Sequence, residues 1–247
     1  MAGASEVQGV DQLREIVADT PEGGPPLFHW VRKAPRGIKR PGEILGVFAS
    51  SFNPPTRAHH MLVQKACGAV AFDEVLLILD RKAMDKEIFG APLEERLWMV
   101  LLCIEKDPQF SVAFTNRGLF LDKLELVEQA YPEGTRVYFI VGYDTLARIL
   151  DPKYYPDRDV ALRKFFGGAQ LLVANRGTMG VEEIKELMNR EENRPFSEKI
   201  RPLKIPFSTG QLSSTQLRER IRSGRGIGHL VPKRILSYIE KRGLYRS

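Results

Sequence analysis

From Ile44 onward the chain alternates apolar runs of strand length with segments of helical period, and that alternation restricts the fold more than any other feature. Strands are expected at Ile44–Ala49, Glu74–Leu79, Phe110–Phe114, Arg136–Val141 and Ala169–Ala174, with a short one near Pro202–Phe207. The 136–141 and 169–174 runs are nearly all apolar, the pattern of strands buried on both faces of a parallel sheet. Helical patterns fall between them, near Ala58–Val70, Leu93–Glu105, Leu121–Gln129, Tyr143–Leu150, Asp159–Phe165 and Val181–Arg190. Two more follow at Ser214–Arg222 and Pro232–Lys241, with Pro232 suited to a first helical turn and Gly243 to a stop. Repeated strand–helix units imply an α/β fold with a doubly wound, mostly parallel sheet and right-handed crossovers. The 247 residues suffice for one such domain at 44–247.

Residues 1–43 read as an N-terminal extension, partly irregular. It contains a short helix over Asp11–Ala18, a breaker-rich loop at Pro21–Pro26, and then Leu27–Val31. That last piece is either an extended segment docked on the domain or disordered. Acidic residues 6, 11, 15 and 19 and the lack of an apolar stretch argue against a signal or transit peptide. No run approaches the roughly 20 apolar residues of a membrane helix, so no membrane partner is expected. Two cysteines, Cys67 and Cys103, provide neither a disulfide nor a metal framework, which fits a reducing, intracellular setting. The net charge of +6 is concentrated in Arg32–Arg40 and Arg218–Arg225. The first cluster reads equally as solvated surface or as a nucleic-acid patch or nuclear signal, and nothing in it demands nucleic acid.

Two distant segments carry chemistry. Gly46–His59 (GVFASSFNPPTRAH) takes a strand through a small-residue loop into a helix start. Ser213–Arg218 (SSTQLR) starts another helix. Helix N-termini attract anions, so each is a candidate phosphate site. In doubly wound sheets ligands gather beyond the carboxyl ends of the strands, where the Ser50–Thr56 loop falls. Ser50 and Ser51 permit close backbone approach; Thr56 and His59, three apart, share one helix face. His60 lies about 100° round and reads as packing or surface. Ser213 and Gln216 fit a capping box and need no ligand. Thr215 and Arg218 have no capping role, and an arginine there can hold phosphate oxygens with its planar fork.

These two segments resemble the (His/Thr)-x-Gly-His and Ile-Ser-Ser-Thr-x-x-Arg motifs of the nucleotidyltransferase superfamily. They are most similar to those of nicotinamide/nicotinate mononucleotide adenylyltransferases. Val141–Asp144, Asn175-Arg176, and Leu230–Pro232 through Leu244-Tyr245 extend the resemblance in consistent order from about Ile44 to the C-terminus. It implies a three-layer α/β/α, Rossmann-like fold. The implied reaction is transfer of the adenylyl group of ATP to a pyridine mononucleotide, releasing pyrophosphate, with Mg2+ bound to the ATP. By resemblance, His59 binds the ATP phosphates and stabilises charge at the α-phosphorus, while Ser214, Thr215 and Arg218 hold the departing phosphates. Ser50, Ser51, Phe52 and Thr56 line the nucleotide path, Gly142 and Asp144 contact the nucleotide through ribose hydroxyls, and Arg176 lies near a phosphate or the adenine.

Several positions depart from the family pattern. Ala58 replaces its glycine, and Arg81–Lys86 matches its lysine loop poorly, although Lys82 or Lys86 can still reach phosphates. Where animal members carry tryptophans around the pyridine ring, this chain has Lys153–Pro156 and Thr115–Arg117. Tyr154 and Tyr155 are the acceptor-binding candidates, Tyr155 by stacking, with surface packing as the alternative. Two other readings stay open: a nucleotidyltransferase using another phosphorylated acceptor or CTP, and a nucleotide-binding protein with little catalysis. A class I aminoacyl-tRNA synthetase shares the ancestral motifs, but the chain lacks length for an anticodon-binding domain. The expected compartment is the cytoplasm, with the nucleus left open, and a homo-oligomer is compatible with the reading.

Overall fold

The computed structural model describes residues 2–81, 90–175, 179–206 and 213–246, and the side chains from residue 7 onward. Among these residues seven strands form one sheet: β1 (Phe28–Arg32), β2 (Ile44–Ala49), β3 (Glu74–Asp80), β4 (Phe110–Thr115), β5 (Arg136–Gly142), β6 (Ala169–Ala174) and β7 (Ile200–Leu203). Their order is β1-β4-β3-β2-β5-β6-β7. All pairs are parallel except β1 with β4, which is antiparallel. The helices are α1 (Ala2–Ala18), α2 (Arg57–Ala69), α3 (Leu93–Ile104), α4 (Phe120–Ala130), α5 (Tyr143–Leu150), α6 (Arg158–Gly168), α7 (Val181–Asn189), α8 (Ser214–Arg222) and α9 (Lys233–Arg242). From β2 the chain steps outward through β3 to β4, then α4 carries it back to β5 on the other side of β2. The switch point of the sheet therefore lies between β2 and β5.

Strand pleat sorts the side chains into two cores. Leu45, Val47, Leu76, Ile78, Phe139 and Val173 pack under α4, α5, α6 and α7. Phe48, Val75, Leu77, Leu79 and Phe114 pack under α1, α2 and α3. A third cluster joins the outer side of α3 to Leu217 of α8 and to Ile235, Tyr238 and Ile239 of α9. Buried Glu95 fastens that layer, accepting from Tyr238 Oη at 2.5 Å and from the Arg242 guanidinium. Gly243, at φ 63°, ends α9 in the left-handed conformation and turns Tyr245 back toward α3.

The structure revises some boundaries. The N-terminal helix runs from residue 2 rather than 11, and the Leu27–Val31 piece is strand β1, paired in register with β4. β7 spans Ile200–Leu203, earlier than the expected Pro202–Phe207, because its ladder to β6 starts at Ile200 opposite Leu171. Residue 207 lies outside the described residues. Pro232 caps α9 from just outside rather than entering its first turn.

The loop between α1 and β1 crosses the carboxyl end of β4 on three side chains. Arg81 donates to the Val17 and Thr20 carbonyls, and Arg117 to that of Gly24. Buried Asn116 accepts from Leu27 N at 2.8 Å and donates to Gly23 O at 3.2 Å and Pro25 O at 3.1 Å. An Asn116→Ala change strands these groups, and is expected to cost about 1–3 kcal/mol of stability. It also frees residues 19–27 for proteolysis. Urea titration with limited proteolysis checks this; an unchanged midpoint and an intact segment contradict it.

Candidate active site

The front of the site is the loop leaving β2. Ser50 N–H donates to Ile78 O at 3.0 Å, extending the β2–β3 ladder by one residue before the chain turns away. Phe52 then takes φ 44°, a left-handed conformation that costs a non-glycine residue about 1–3 kcal/mol. Packing holds it there, since its ring lies 5.3 Å from Phe48 and 5.1 Å from His59 between centroids.

Thr56 is the N-cap of α2, just outside the first turn where it was expected, and His59 is the third helical residue. The two form a reciprocal capping box in which histidine replaces the usual Glu or Gln. Thr56 Oγ1 accepts from His59 N–H at 3.4 Å, and His59 Nδ1 accepts from Thr56 N–H at 2.9 Å. An Nδ1 that accepts from a backbone amide puts the proton of the neutral ring on Nε2. That nitrogen lies 3.3 Å from Ser50 Oγ, so His59 presents an N–H donor over the loop. The capping box thereby fixes both ring orientation and tautomer.

The helix end itself offers an anion less than its position suggested. Arg57 N–H is taken by Leu230 O at 2.9 Å, and His59 N–H by the Thr56 cap. Donors must come instead from side chains and the preceding loop, with the dipole as background.

The rear of the site is α8. Its capping box is the expected one: Ser213 Oγ accepts from Gln216 N–H at 3.2 Å and Gln216 Oε1 from Ser213 N–H at 3.3 Å. Ser214 Oγ donates to Pro54 O at 3.0 Å, and Arg218 Nη1 donates to Asn53 O at 2.7 Å. Arg218 Nη2 reaches Thr215 Oγ1 at 3.3 Å, while Arg218 Nε is buried with no hydrogen-bond partner. The two segments, about 160 residues apart, thus meet by direct hydrogen bonds. Burial lowers the Arg218 pKa, with Tyr245 nearby opposing the effect.

Three residues that sequence reasoning missed complete this junction. Asn53 is buried and its Oδ1 accepts from Ala91 N–H at 3.3 Å. Gly90, at φ 116°, leaves room where a Cβ would stand 3.0 Å from Asn53 Oδ1 and 3.1 Å from Arg218 Cδ. Arg96, only 3% exposed on α3, donates to Ser51 O at 2.8 Å and Ala91 O at 3.2 Å. A signal for Arg96 existed: it interrupts the buried stripe Leu93, Leu97, Val100, Ile104 with a cation.

Across the switch point, Gly142 ends β5 opposite Ala174 and is the N-cap of α5, with Asp144 exposed in the first turn. Asn175 follows β6 and clasps Ile205 through two hydrogen bonds, 3.1 Å from Nδ2 to Ile205 O and 2.6 Å from Ile205 N to Oδ1. Arg176, Lys82 and Lys86 lie outside the described residues. Tyr155 directs its hydroxyl to Ile149 O at 2.9 Å and packs against the sheet core, the packing role that was the alternative to stacking on the acceptor. Tyr154 carries Lys153 Nζ 4.8 Å over its ring. Among the described residues no group of three or more His, Cys, Asp or Glu could hold a metal ion. Nor is any of their helices long and apolar enough to cross a membrane.

Comparison with known proteins identifies the family. A Schizosaccharomyces pombe protein, named as a nicotinamide mononucleotide adenylyltransferase, is 33% identical over 217 residues, covering 81% of this chain and 85% of its own. A Gloeobacter violaceus protein, named as a nicotinate-nucleotide adenylyltransferase, is 27% identical over 213 residues, covering 83% and 97%. The Plasmodium falciparum nicotinic acid mononucleotide adenylyltransferase complexed with NaAD shares the fold at a TM-score of 0.62 and 18% identity, covering 82% and 97%. Residues 47–220 match the cytidylyltransferase-like family, a span that opens in β2 and closes in α8. The family span and the S. pombe relative together show that the chain belongs to the cytidylyltransferase-like family of nucleotidyltransferases.

Proposed function

We propose that the protein transfers the adenylyl group of ATP to the phosphate of nicotinate or nicotinamide mononucleotide, forming the dinucleotide and releasing pyrophosphate. The observation that carries this reading is the junction of Ser214 and Arg218 with the carbonyls of Pro54 and Asn53. It gathers an imidazole donor and a guanidinium around one loop at the carboxyl edge of the sheet. The relatives named for this activity support the acceptor class.

In the reaction, a phosphate oxygen of the mononucleotide attacks the α-phosphorus, the bond to the bridging β-oxygen breaks, and pyrophosphate leaves with its electron pair. The nucleophile is already an anion, so no general base is required. His59, its Nε2–H fixed by the Thr56 amide, donates to an α-phosphate oxygen whose charge grows in the transition state. Arg218 and Thr215 hold the departing β- and γ-phosphates, and Ser214 keeps α8 seated on the loop. Ser50, Ser51 and Phe52 line the path between the substrates. Across the switch point Gly142 and Asp144 meet the ribose, with Arg176 near the adenine or a phosphate and Tyr154 and Tyr155 toward the acceptor.

Mg2+ fits as a passenger on the nucleotide, because such ions usually keep waters and substrate phosphates as ligands. It supplies charge neutralisation there. Holding two anions in line is the larger task, and positioning of this kind is worth roughly 7–11 kcal/mol. The two-cysteine composition supports an enzyme of the cytoplasm, with the nucleus as the alternative.

Two measurements test the reading. With ATP and CTP offered separately as donors and nicotinate or nicotinamide mononucleotide as acceptor, the adenine dinucleotide is expected from ATP and no dinucleotide from CTP. Pyrophosphate release with CTP alone, or tight ATP binding without turnover of either acceptor, contradicts it. Separately, His59→Ala is expected to lower kcat by about 100- to 1,000-fold, the usual cost of one transition-state donor. Arg218→Lys, which keeps charge but loses the planar fork, should raise KM for ATP by about tenfold or more. Wild-type kcat in the first variant, or unchanged KM in the second, removes that residue from the mechanism.

A further inference from the structure

Arg96 is a buried cation with no carboxylate in ion-pair contact, although Asp80 and Glu94 favour its charge from further off. Its guanidinium spends its hydrogen bonds on two backbone carbonyls, Ser51 and Ala91, and no Asp or Glu among the described residues lies within ion-pair distance. The acidic groups around it are engaged elsewhere: Asp80 pairs with buried Lys123 at 3.0 Å, and Glu94 with Arg14 at 3.3 Å. Tyr245 is the other titratable group facing it, a buried phenol whose hydroxyl has no hydrogen-bond partner and whose pKa burial pushes above its usual value. Burial has drawn the Arg96 pKa down to about 10, which still leaves it charged at neutral pH.

Isolated buried charges are costly unless something compensates them. Two carbonyl dipoles do so only in part. Arg218 repeats the arrangement three residues of loop away: it too is charged, partly desolvated and bonded to a carbonyl, Asn53 O, rather than to a carboxylate. The two guanidiniums grip Ser51 O from α3 and Asn53 O from α8, and so bracket the segment that turns across the end of β2. A loop held by two cations that touch no carboxylate is suited to an anion as a further partner.

We propose that Arg96 is a positioning residue for the triphosphate, setting the Ser51–Asn53 loop through the Ser51 carbonyl and supplying charge from beneath it without touching the nucleotide. The proposal rests on the adenylyl-transfer reading for the identity of the anion. On this account part of the protein's instability without ligand is relieved when the triphosphate binds.

The test uses the full-length chain and inorganic tripolyphosphate, which carries the charge of the leaving end without base or sugar. Wild-type protein is expected to show a rise in Tm with tripolyphosphate, since a ligand of the native state stabilises it by mass action. Arg96→Met and Arg96→Gln are expected to bind tripolyphosphate at least about tenfold more weakly, the effect of one nearby charge in a partly desolvated site. In Arg96→Lys the charge stays and most of the Tm rise survives. Arg234→Ala, which removes an exposed cation paired with Glu105, retains the whole shift.

A purely structural arginine would lower the ligand-free Tm of all three position-96 variants and leave the tripolyphosphate shift untouched; that result overturns the proposal. Loss of the shift in Arg96→Lys as complete as in Arg96→Met also overturns it, because charge would then not matter. Should Arg96→Met fail to fold, Arg96→Gln and Arg96→Lys still make the comparison. A wild-type protein unmoved by tripolyphosphate instead strikes the adenylyl-transfer reading itself, which separates the two failures.

Discussion

The hydrogen bond from Arg218 Nη1 to the carbonyl of Asn53 is the constraint on which the site depends. Through it the last third of the chain is fastened to the first loop of the parallel sheet, and its neighbour from Ser214 to Pro54 O seats the start of α8 in the same place. Everything nearby makes that contact available. Gly90 has no side chain where one would collide with Asn53 and Arg218. Asn53 is held by Ala91, and Ser51 by Arg96. Tyr245 returns beneath the two arginines because Gly243 reverses the chain after α9.

The two ends of the sheet bury different polar groups. At the amino edge buried Glu74 gathers donors from Ile38 N, at 2.8 Å, and from the hydroxyls of Ser111 and Tyr131. Burial and then that carboxylate push the Tyr131 phenol above its usual range. At the carboxyl edge cations prevail: Arg81, Arg96, Lys123 and Arg218 all donate to backbone carbonyls there. Of these only Lys123 is salt-bridged within the core, to Asp80. A positive, carbonyl-tethered rim beside a switch point is suited to a polyphosphate and poorly suited to an apolar ligand.

Much of this was legible from residue order. Strands at 44–49 and 169–174 and helices at 143–150 and 214–222 appear where apolar period and capping residues put them, because each is a local signal. The Thr56–His59 spacing marked the right pair for an incomplete reason. Three residues separate them because histidine acts as the third member of a capping box, which is also what aims its Nε2. What the sequence hid is nonlocal. Arg96 and Asn53 matter through partners 45 and 38 positions away, and the docking of Gly23–Leu27 on Asn116 spans about 90 positions. No periodicity encodes such pairings. The only trace was polarity out of place, an arginine within an apolar helical stripe.

The central claim is that one triphosphate spans the front and rear segments. A crystal structure of the protein with a non-hydrolysable ATP analogue and Mg2+ tests it most directly. The account predicts the phosphate chain lying over residues 50–55, with an α-phosphate oxygen within hydrogen-bond reach of His59 Nε2 and the terminal phosphates against Arg218 and Thr215. A triphosphate bound away from that loop, with His59 and Arg218 each keeping only their protein contacts, would contradict it.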